Sequence, residues 1–303
     1  MGAAHVDQIA ISDAPFHPGY SNPGRVIERV GGAAFNAAKA LRVFGHETAL
    51  VSACGGDEAA ERIGAEFDRL GISDARIAWL DRRSATYTAL VDVGGDLVGG
   101  VADMEIYDRL NPRVLSRRHV LDRVANADGL IVDANLSSAA LAHLAALKPA
   151  SLAAIAVSPA KIVRLAPVLR SLSVLFASRI EIAALLELPT EASDGELVAA
   201  VRTAGLARAV VTDGARPILV VEPASSWRQA PPTVDAVVDV VGAGDTLAGT
   251  AFGAWLGGFA FTDAVRLGLA AASLRIGSGL DEASARQARA IAAALPNPDF
   301  ILT

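Results

Sequence analysis

The chain has 303 residues, a hydrophobic fraction of 52% and a formal net charge of −6. That is enough apolar material for one large α/β domain or two small ones, and the acidic balance argues against a nucleic-acid polymer as partner. Cys54 is the sole cysteine, which excludes an internal disulfide and fits a reducing cytoplasm.

The first residues, Met1-Gly2-Ala3-Ala4-His5-Val6-Asp7, meet a carboxylate early with no basic stretch before it, so no secretory signal is predicted. Residues 8–30 are rich in Gly, Pro and Ser. Next, Gly31-Gly32-Ala33-Ala34-Phe35-Asn36 pairs a glycine turn with a helix start, and Asn36 offers both a donor and an acceptor to a polyol. Residues 85–102 alternate like a hairpin around Gly94-Gly95-Asp96.

From the middle onward, short apolar runs alternate with alanine-rich helical stretches. Residues 129–135, 151–157, 173–178 and 208–214 predict buried parallel strands. Residues 138–147, 161–169 and 194–204 predict the helices between them. This alternation specifies an α/β, three-layer doubly wound fold with a mostly parallel sheet. Residues 217–222 and 226–230 predict an edge hairpin, followed by a strand running into Asp239. Helices are predicted over 262–275 and 283–295. The weakly polar stretch 246–261 is too short and too glycine-rich for a membrane span. The histidines, His5, His17, His46, His119 and His143, show no ligand spacing, so no zinc site is expected.

The most informative stretch is Val237-Val238-Asp239-Val240-Val241-Gly242-Ala243-Gly244-Asp245-Thr246. A β-type run breaks at two glycines and continues as a helix whose apolar stripe is Leu247, Ala248, Ala251, Phe252 and Trp255. The first N–H groups of such a helix lack partners within it and carry the positive end of its dipole, so they suit an anion. Asp245 stands beside that anion, where a carboxylate can take the proton of a hydroxyl attacking phosphorus. The same residues also serve as a plain helix cap and turn. No Gly-x-x-x-x-Gly-Lys-Ser/Thr is present, which excludes a Walker loop. The glycines come too late in the chain, and without a third at Leu247, to open a dinucleotide-binding unit.

Together the motifs at 31–41 and 237–246 resemble the two signatures of the ribokinase-like (PfkB-type) sugar and nucleoside kinases. The resemblance implies that Gly32 lies under the phosphate acceptor and that Gly242, Ala243, Gly244 and Asp245 form the anion hole with its catalytic aspartate. It implies one domain over residues 1–303 with a small β lid inserted from about 8–30 and 85–102. Such lids pair between subunits, so a homodimer is expected. The family's first strand has several apolar residues before its glycine. Here either the reading frame opens upstream of Met1 or the central strand is short, and the former is expected.

Two further stretches, Pro18-Gly19-Tyr20-Ser21-Asn22-Pro23-Gly24 and Ala102-Asp103-Met104-Glu105-Ile106-Tyr107-Asp108-Arg109-Leu110-Asn111-Pro112, are similar to the lid sequences of pseudouridine kinases. The activity implied is transfer of the ATP γ-phosphate to the 5′-hydroxyl of pseudouridine. The alternatives are a ribose- or fructose-type sugar kinase and a non-catalytic nucleoside sensor. By the same resemblance Asp7 and Asn36 receive the ribose, and Asn22 faces the uracil edge or simply makes a turn. Asn135, at a strand's carboxyl end, is a contact candidate. Asp103 and Met104 act as contact, hinge or packing.

On the nucleotide side, Ser178-Arg179-Ile180-Glu181 stands where the family has Asn-x-x-Glu, so Glu181 is expected to organise Mg²⁺ through water. Thr212 and Gly214 match the loop that touches the nucleotide, although Pro217 stands where a glycine is usual. Lys161 aligns with a basic residue that reaches phosphate, or else lies at the surface. Asp239 matches a residue that helps hold a monovalent cation, K⁺ being the candidate, although Val240 replaces a common threonine beside it.

Overall fold

Side-chain alternation along four buried strands decides the architecture. In the computed structural model, which describes residues 1–301, Leu130, Val132, Leu152, Ala154, Leu175, Ala177, Ala209 and Val211 belong to one apolar core. Their neighbours Ile131, Ala153, Ile155, Val174, Phe176 and Val210 belong to a second core on the opposite face. A sheet that is apolar on both faces must be covered on both. Helices Ser138–Ala146 and Asp194–Thr203, with the 3₁₀ segment Val163–Ser171, close the first core. Helices Ala33–Val43, Ala243–Leu256 and Phe261–Gly277 close the second. The result is three layers.

Strands Leu130–Asp133, Leu152–Ile155, Val174–Ser178 and Ala209–Asp213 lie side by side and parallel. The sheet continues antiparallel through the expected hairpin, Arg216–Val221 and Ser226–Gln229, and ends on Asp299–Phe300. The C-terminal helices form as Phe261–Gly277 and Ser284–Ala294.

Two sequence expectations fail. The stretch 161–169 is not one α-helix: Pro159–Ile162 makes a single turn, and Val163–Ser171 is 3₁₀. Pro167 has no N–H to continue an α ladder. The apolar run before Gly242 is not a strand either. The sheet edge beyond the hairpin is taken by Asp299–Phe300, so the run has no ladder to join. Val237, Val238, Val240 and Val241 stay exposed, with the N–H groups of Val238 and Asp239 both donating to the Ile276 carbonyl at 2.9 and 3.2 Å.

On the other side of Leu130–Asp133 lies the start of the chain. The Met1 amine donates to the Ile131 carbonyl at 2.6 Å, and Gly2 N–H to Val51 at 3.1 Å. Beyond it, Ala49–Leu50 and Ala53–Cys54 pair in parallel with Ser73–Asp74 and Ile77–Ala78. The chain therefore winds outward from its first residues, then returns and winds the other way from Leu130. Such a switch point opens a crevice at the carboxyl ends of the strands. His5–Ser12 then leaves for a separate four-stranded sheet in the order Gly24–Gly31, His5–Ser12, Thr86–Val91, Leu97–Asp103. Segments 8–30 and 85–102 thus build one sheet.

The switch point is pinned by Asp133, which is fully buried. One carboxylate oxygen accepts the N–H of Ala3 at 2.8 Å and of Ala34 at 3.1 Å, and the other accepts Asn135 N–H at 2.9 Å. Gly32 makes this convergence feasible. Its φ is +109°, and a Cβ there would lie 2.4 Å from the Ala3 carbonyl oxygen. Asp133→Ala leaves three buried N–H groups without an acceptor, at roughly 1–3 kcal/mol each. We expect a loss of at least about 3 kcal/mol in urea denaturation; an unshifted midpoint would show that water replaces the carboxylate.

Candidate active site

The two glycine motifs meet at the crevice. Helix Ala243–Leu256 starts after Gly242, whose φ of +78° is left-handed. A Cβ on Gly242 would lie 2.7 Å from Asn36 Nδ2, so only glycine lets the two segments touch. Asn36 is not a helix cap, since Gly32 occupies that position. Its side chain crosses to the other motif instead, donating from Nδ2 to Asp245 Oδ2 at 2.9 Å. Asp245 keeps a partly open face toward the crevice but is otherwise enclosed. Burial pushes its carboxyl up to about 6 from an ordinary 3.8; the Asn36 hydrogen bond opposes this, and the charges of Asp133 and Glu181 add to it. A carboxylate whose proton affinity is raised toward neutrality, in the first turn of a helix and so at the positive end of its dipole, is equipped to accept a proton next to a bound anion.

On the side of the four-stranded sheet, Asp7 is buried. Its Oδ1 lies 3.1 Å from His5 Nε2 and its Oδ2 3.4 Å from Arg29 Nε. Asn135 accepts from Lys161 Nζ at 2.7 Å. Arg164 Nη1 donates to the Asn135 carbonyl at 2.9 Å and to that of Ala134 at 3.3 Å. Burial, and then the Arg164 charge, hold the Lys161 amine below its usual range. Lys161 is therefore turned into the crevice rather than lying at the surface. Asn22 is the exception. Its Oδ1 accepts His17 N–H and its Nδ2 donates to the carbonyls of His17 and Tyr20, so its amide is used by its own turn and is not free to meet a base. Asp103 ends strand Leu97–Asp103 and is exposed.

On the third side, Ser178 and Thr212 are direct neighbours on adjacent strands. Glu181 Oε2 accepts both Ser178 N–H at 2.6 Å and Ser178 Oγ–H at 2.8 Å, a capping box. Gly214 turns the chain into the hairpin with φ +61°. Asp239 Oδ2 accepts from Arg275 Nη2 at 2.8 Å and from Arg29 Nη1, and its Oδ1 accepts Val241 N–H at 2.9 Å.

The sequence pattern of the pfkB family carbohydrate kinases matches residues 1–288. The chain belongs to that family. It is 24% identical over 282 residues to pseudouridine kinase of Escherichia coli, covering 91% of this chain and 89% of that protein. A carbohydrate kinase from Agrobacterium tumefaciens superposes with a TM-score of 0.87 at 33% identity, over 99% of this chain and 98% of the other. Ribokinase of Arabidopsis thaliana, solved with ribose and ATP, superposes with a TM-score of 0.83 at 20% identity over 96% of each chain. The fold is that of ribokinase, and the protein is a sugar or nucleoside kinase of the pfkB family.

For a kinase, the donor sets can be compared with the cations its relatives suggest. Both Glu181 bonds use Oε2, which leaves Oε1 for a further partner. Among the described residues no cluster of three or more His, Cys, Asp or Glu is placed to hold a metal. The Oε1 that the Glu181 bonds leave suits a carboxylate meeting Mg²⁺ through water. Asp239 does not fit a monovalent cation, because guanidiniums already hold its carboxylate. A cavity of about 990 Å³ around His46, Arg42 and Leu256 shares none of these residues. Sequence reading missed Asp133, His5, Arg29 and Arg164. Asp133 stands two residues before Asn135 at the same strand end, which was the available signal.

The folded carboxyl of Asp245 keeps its proton up to pH about 6, whereas the unfolded one releases it near 3.8. Between those values the folded state binds more protons, so stability falls as pH rises, and above about 6 the whole penalty is present. Asp245→Asn removes the ionisation and keeps an acceptor for Asn36. The shift corresponds to at most ~3 kcal/mol, and solvent at the open face lowers this to about 1–2 kcal/mol. Melting across pH should show the variant more stable than the native kinase at pH 8 and equal to it below about pH 4. Parallel curves would mean the carboxyl titrates normally.

Proposed function

We propose that the protein is an ATP-dependent kinase that phosphorylates the 5′-hydroxyl of pseudouridine, giving pseudouridine 5′-phosphate and ADP. The observation that carries the reaction is Asp245, desolvated and tied to Asn36 at the start of helix Ala243–Leu256. The amides of Ala243 and Gly244 with Gly242 receive phosphate charge, and Asp245 accepts the proton of the attacking hydroxyl. Asp7 and Asn36 orient the ribose over Gly32, with Asn135 at the same crevice. Lys161, joined by Arg164, supplies positive charge to the phosphates, while Ser178, Thr212 and Gly214 border the nucleotide. Mg²⁺ bound to the nucleotide neutralises the charge on the transferred group, and Glu181 is its partner through water.

The chain is read as one ribokinase-like unit over residues 1–303 with the four-stranded sheet as its lid. Val26, Leu90 and Val101 are exposed on one face of that sheet, which supports pairing of two lids in a homodimer. No helix among the described residues is long and apolar enough to cross a membrane; with a single cysteine this supports a cytoplasmic kinase acting on a small molecule.

The similarity to pseudouridine kinase supports the acceptor. A sugar kinase is the second reading, favoured by the carbohydrate-kinase description of the family and by the Agrobacterium neighbour. A non-catalytic sensor is disfavoured, since it has no use for a base raised toward neutrality. Comparing kcat/KM for pseudouridine, uridine, ribose and fructose separates the first two. Pseudouridine has a ring N–H where uridine has C–H, and a site built to accept it loses roughly 10²-fold or more with uridine. Ribose or fructose emerging as best substrate establishes the second reading.

Asp245→Ala leaves the backbone anion site intact. We expect kcat to fall by roughly 10²–10⁴ with ATP binding and circular dichroism retained. In the native enzyme kcat/KM should rise with pH through about 6 as this carboxyl ionises. A folded, ATP-binding variant with native turnover removes Asp245 from the chemistry.

A further inference from the structure

Beneath the loop that precedes Gly242 lies a closed set of charges. Arg275, in the last turn of helix Phe261–Gly277, and Arg29, on strand Gly24–Gly31, converge on Asp239 Oδ2. Arg29 also reaches Asp7 Oδ2, whose other oxygen faces His5. Asp239 Oδ1 holds Val241 N–H, which fixes the loop into the helix start. Burial works against ionisation of Asp239, but the bonds from Arg275 and Val241 and the charges of both arginines keep its carboxyl below the usual range.

A bound monovalent cation needs several oxygens to replace its hydration shell. Two carbonyls flanking Arg275 in the chain already have two donors each. The Ile276 carbonyl accepts two N–H groups, from Val238 and Asp239, and the Leu274 carbonyl accepts Ser278 N–H at 2.8 Å and Gly279 N–H at 3.0 Å. The charge count is also complete, with two guanidiniums facing the carboxylates of Asp7 and Asp239. An added cation would meet two like charges and no free carboxylate. Guanidiniums remain charged at any working pH.

We infer that Arg275, with Arg29, takes the place of a diffusible monovalent cation under residues 240–244, so that the anion site is held without K⁺. The inference rests on the kinase reading for its activity arm only. Arg275 acts through Asp239 and the loop, as a positioning residue.

The test compares potassium, sodium and tetramethylammonium chlorides at constant ionic strength. Native turnover, ADP affinity and melting temperature in the presence of ADP should agree across the three, with rates within about two-fold. Arg275→Met should lose about ten-fold in ADP affinity in tetramethylammonium and recover much of it in K⁺ or in guanidinium chloride at millimolar concentration, a rescue that a merely structural role would not give. A native protein whose ADP affinity or melting temperature rises saturably with K⁺ overturns the inference, as does a folded Arg275→Met protein that responds to neither cation. If Arg275→Met does not fold, the native comparison decides alone. ADP binding and melting do not depend on the acceptor, so a protein that phosphorylates none of those tried sinks the proposed acceptors while this inference is still judged.

Discussion

The carboxylate of Asp133 accepts N–H groups from three separated pieces of chain, Ala3, Ala34 and Asn135, and the crevice exists because those pieces converge there. A carboxyl group with no exposure is tolerable only when its oxygens are hydrogen-bonded, and here backbone amides supply the donors. The consequence is geometric. The first residues of the chain, the start of helix Ala33–Val43 and the end of strand Leu130–Asp133 are held to one point, so Asn36 and Asn135 project into the same space. Strand His5–Ser12, beginning two residues beyond Ala3, opens the four-stranded sheet from that point and carries Asp7.

Around this anchor the site sets opposing effects on Asp245 against each other. Desolvation and the neighbouring carboxylates of Asp133 and Glu181 favour the protonated form, while the Asn36 amide favours the ionised one. Burial is the largest effect and decides the direction. The helix start contributes oriented N–H groups without bringing a charge of its own. The crevice thus holds a carboxyl with raised proton affinity in the first turn of helix Ala243–Leu256, with Lys161 and Arg164 gathered on Asn135.

The four-stranded sheet is joined to the same centre by charge. Arg29 spans Asp7 on its own sheet and Asp239 at the base of the loop before Gly242, so the four-stranded sheet and that loop share one guanidinium. Exposed charge pairs contribute little, but partly buried guanidiniums with several hydrogen-bond partners set geometry. The loop needs such a hold, because it has no place in a sheet.

Local pattern determined much of this protein. Short continuous apolar runs marked strands Leu130–Asp133, Leu152–Ile155, Val174–Ser178 and Ala209–Asp213, because such a run is a property of adjacent residues and survives without knowledge of the partner. The glycine-then-helix motifs around Gly32 and Gly242 were legible for the same reason, and with them Asp245. Tertiary structure decided what depends on who stands opposite. Valines 237, 238, 240 and 241 have strand character, yet the sheet edge was already filled and they stayed exposed. Asn36 could have capped its own helix, but the close approach at Gly242 gave its amide to Asp245, 209 residues away. Asn22 had the residue type for recognition, and its own turn consumed it. Asp239 had the residue type for a cation ligand, and two arginines from distant elements reached it first. Residue type fixes what a side chain can bind; only packing fixes which of the competing partners it meets.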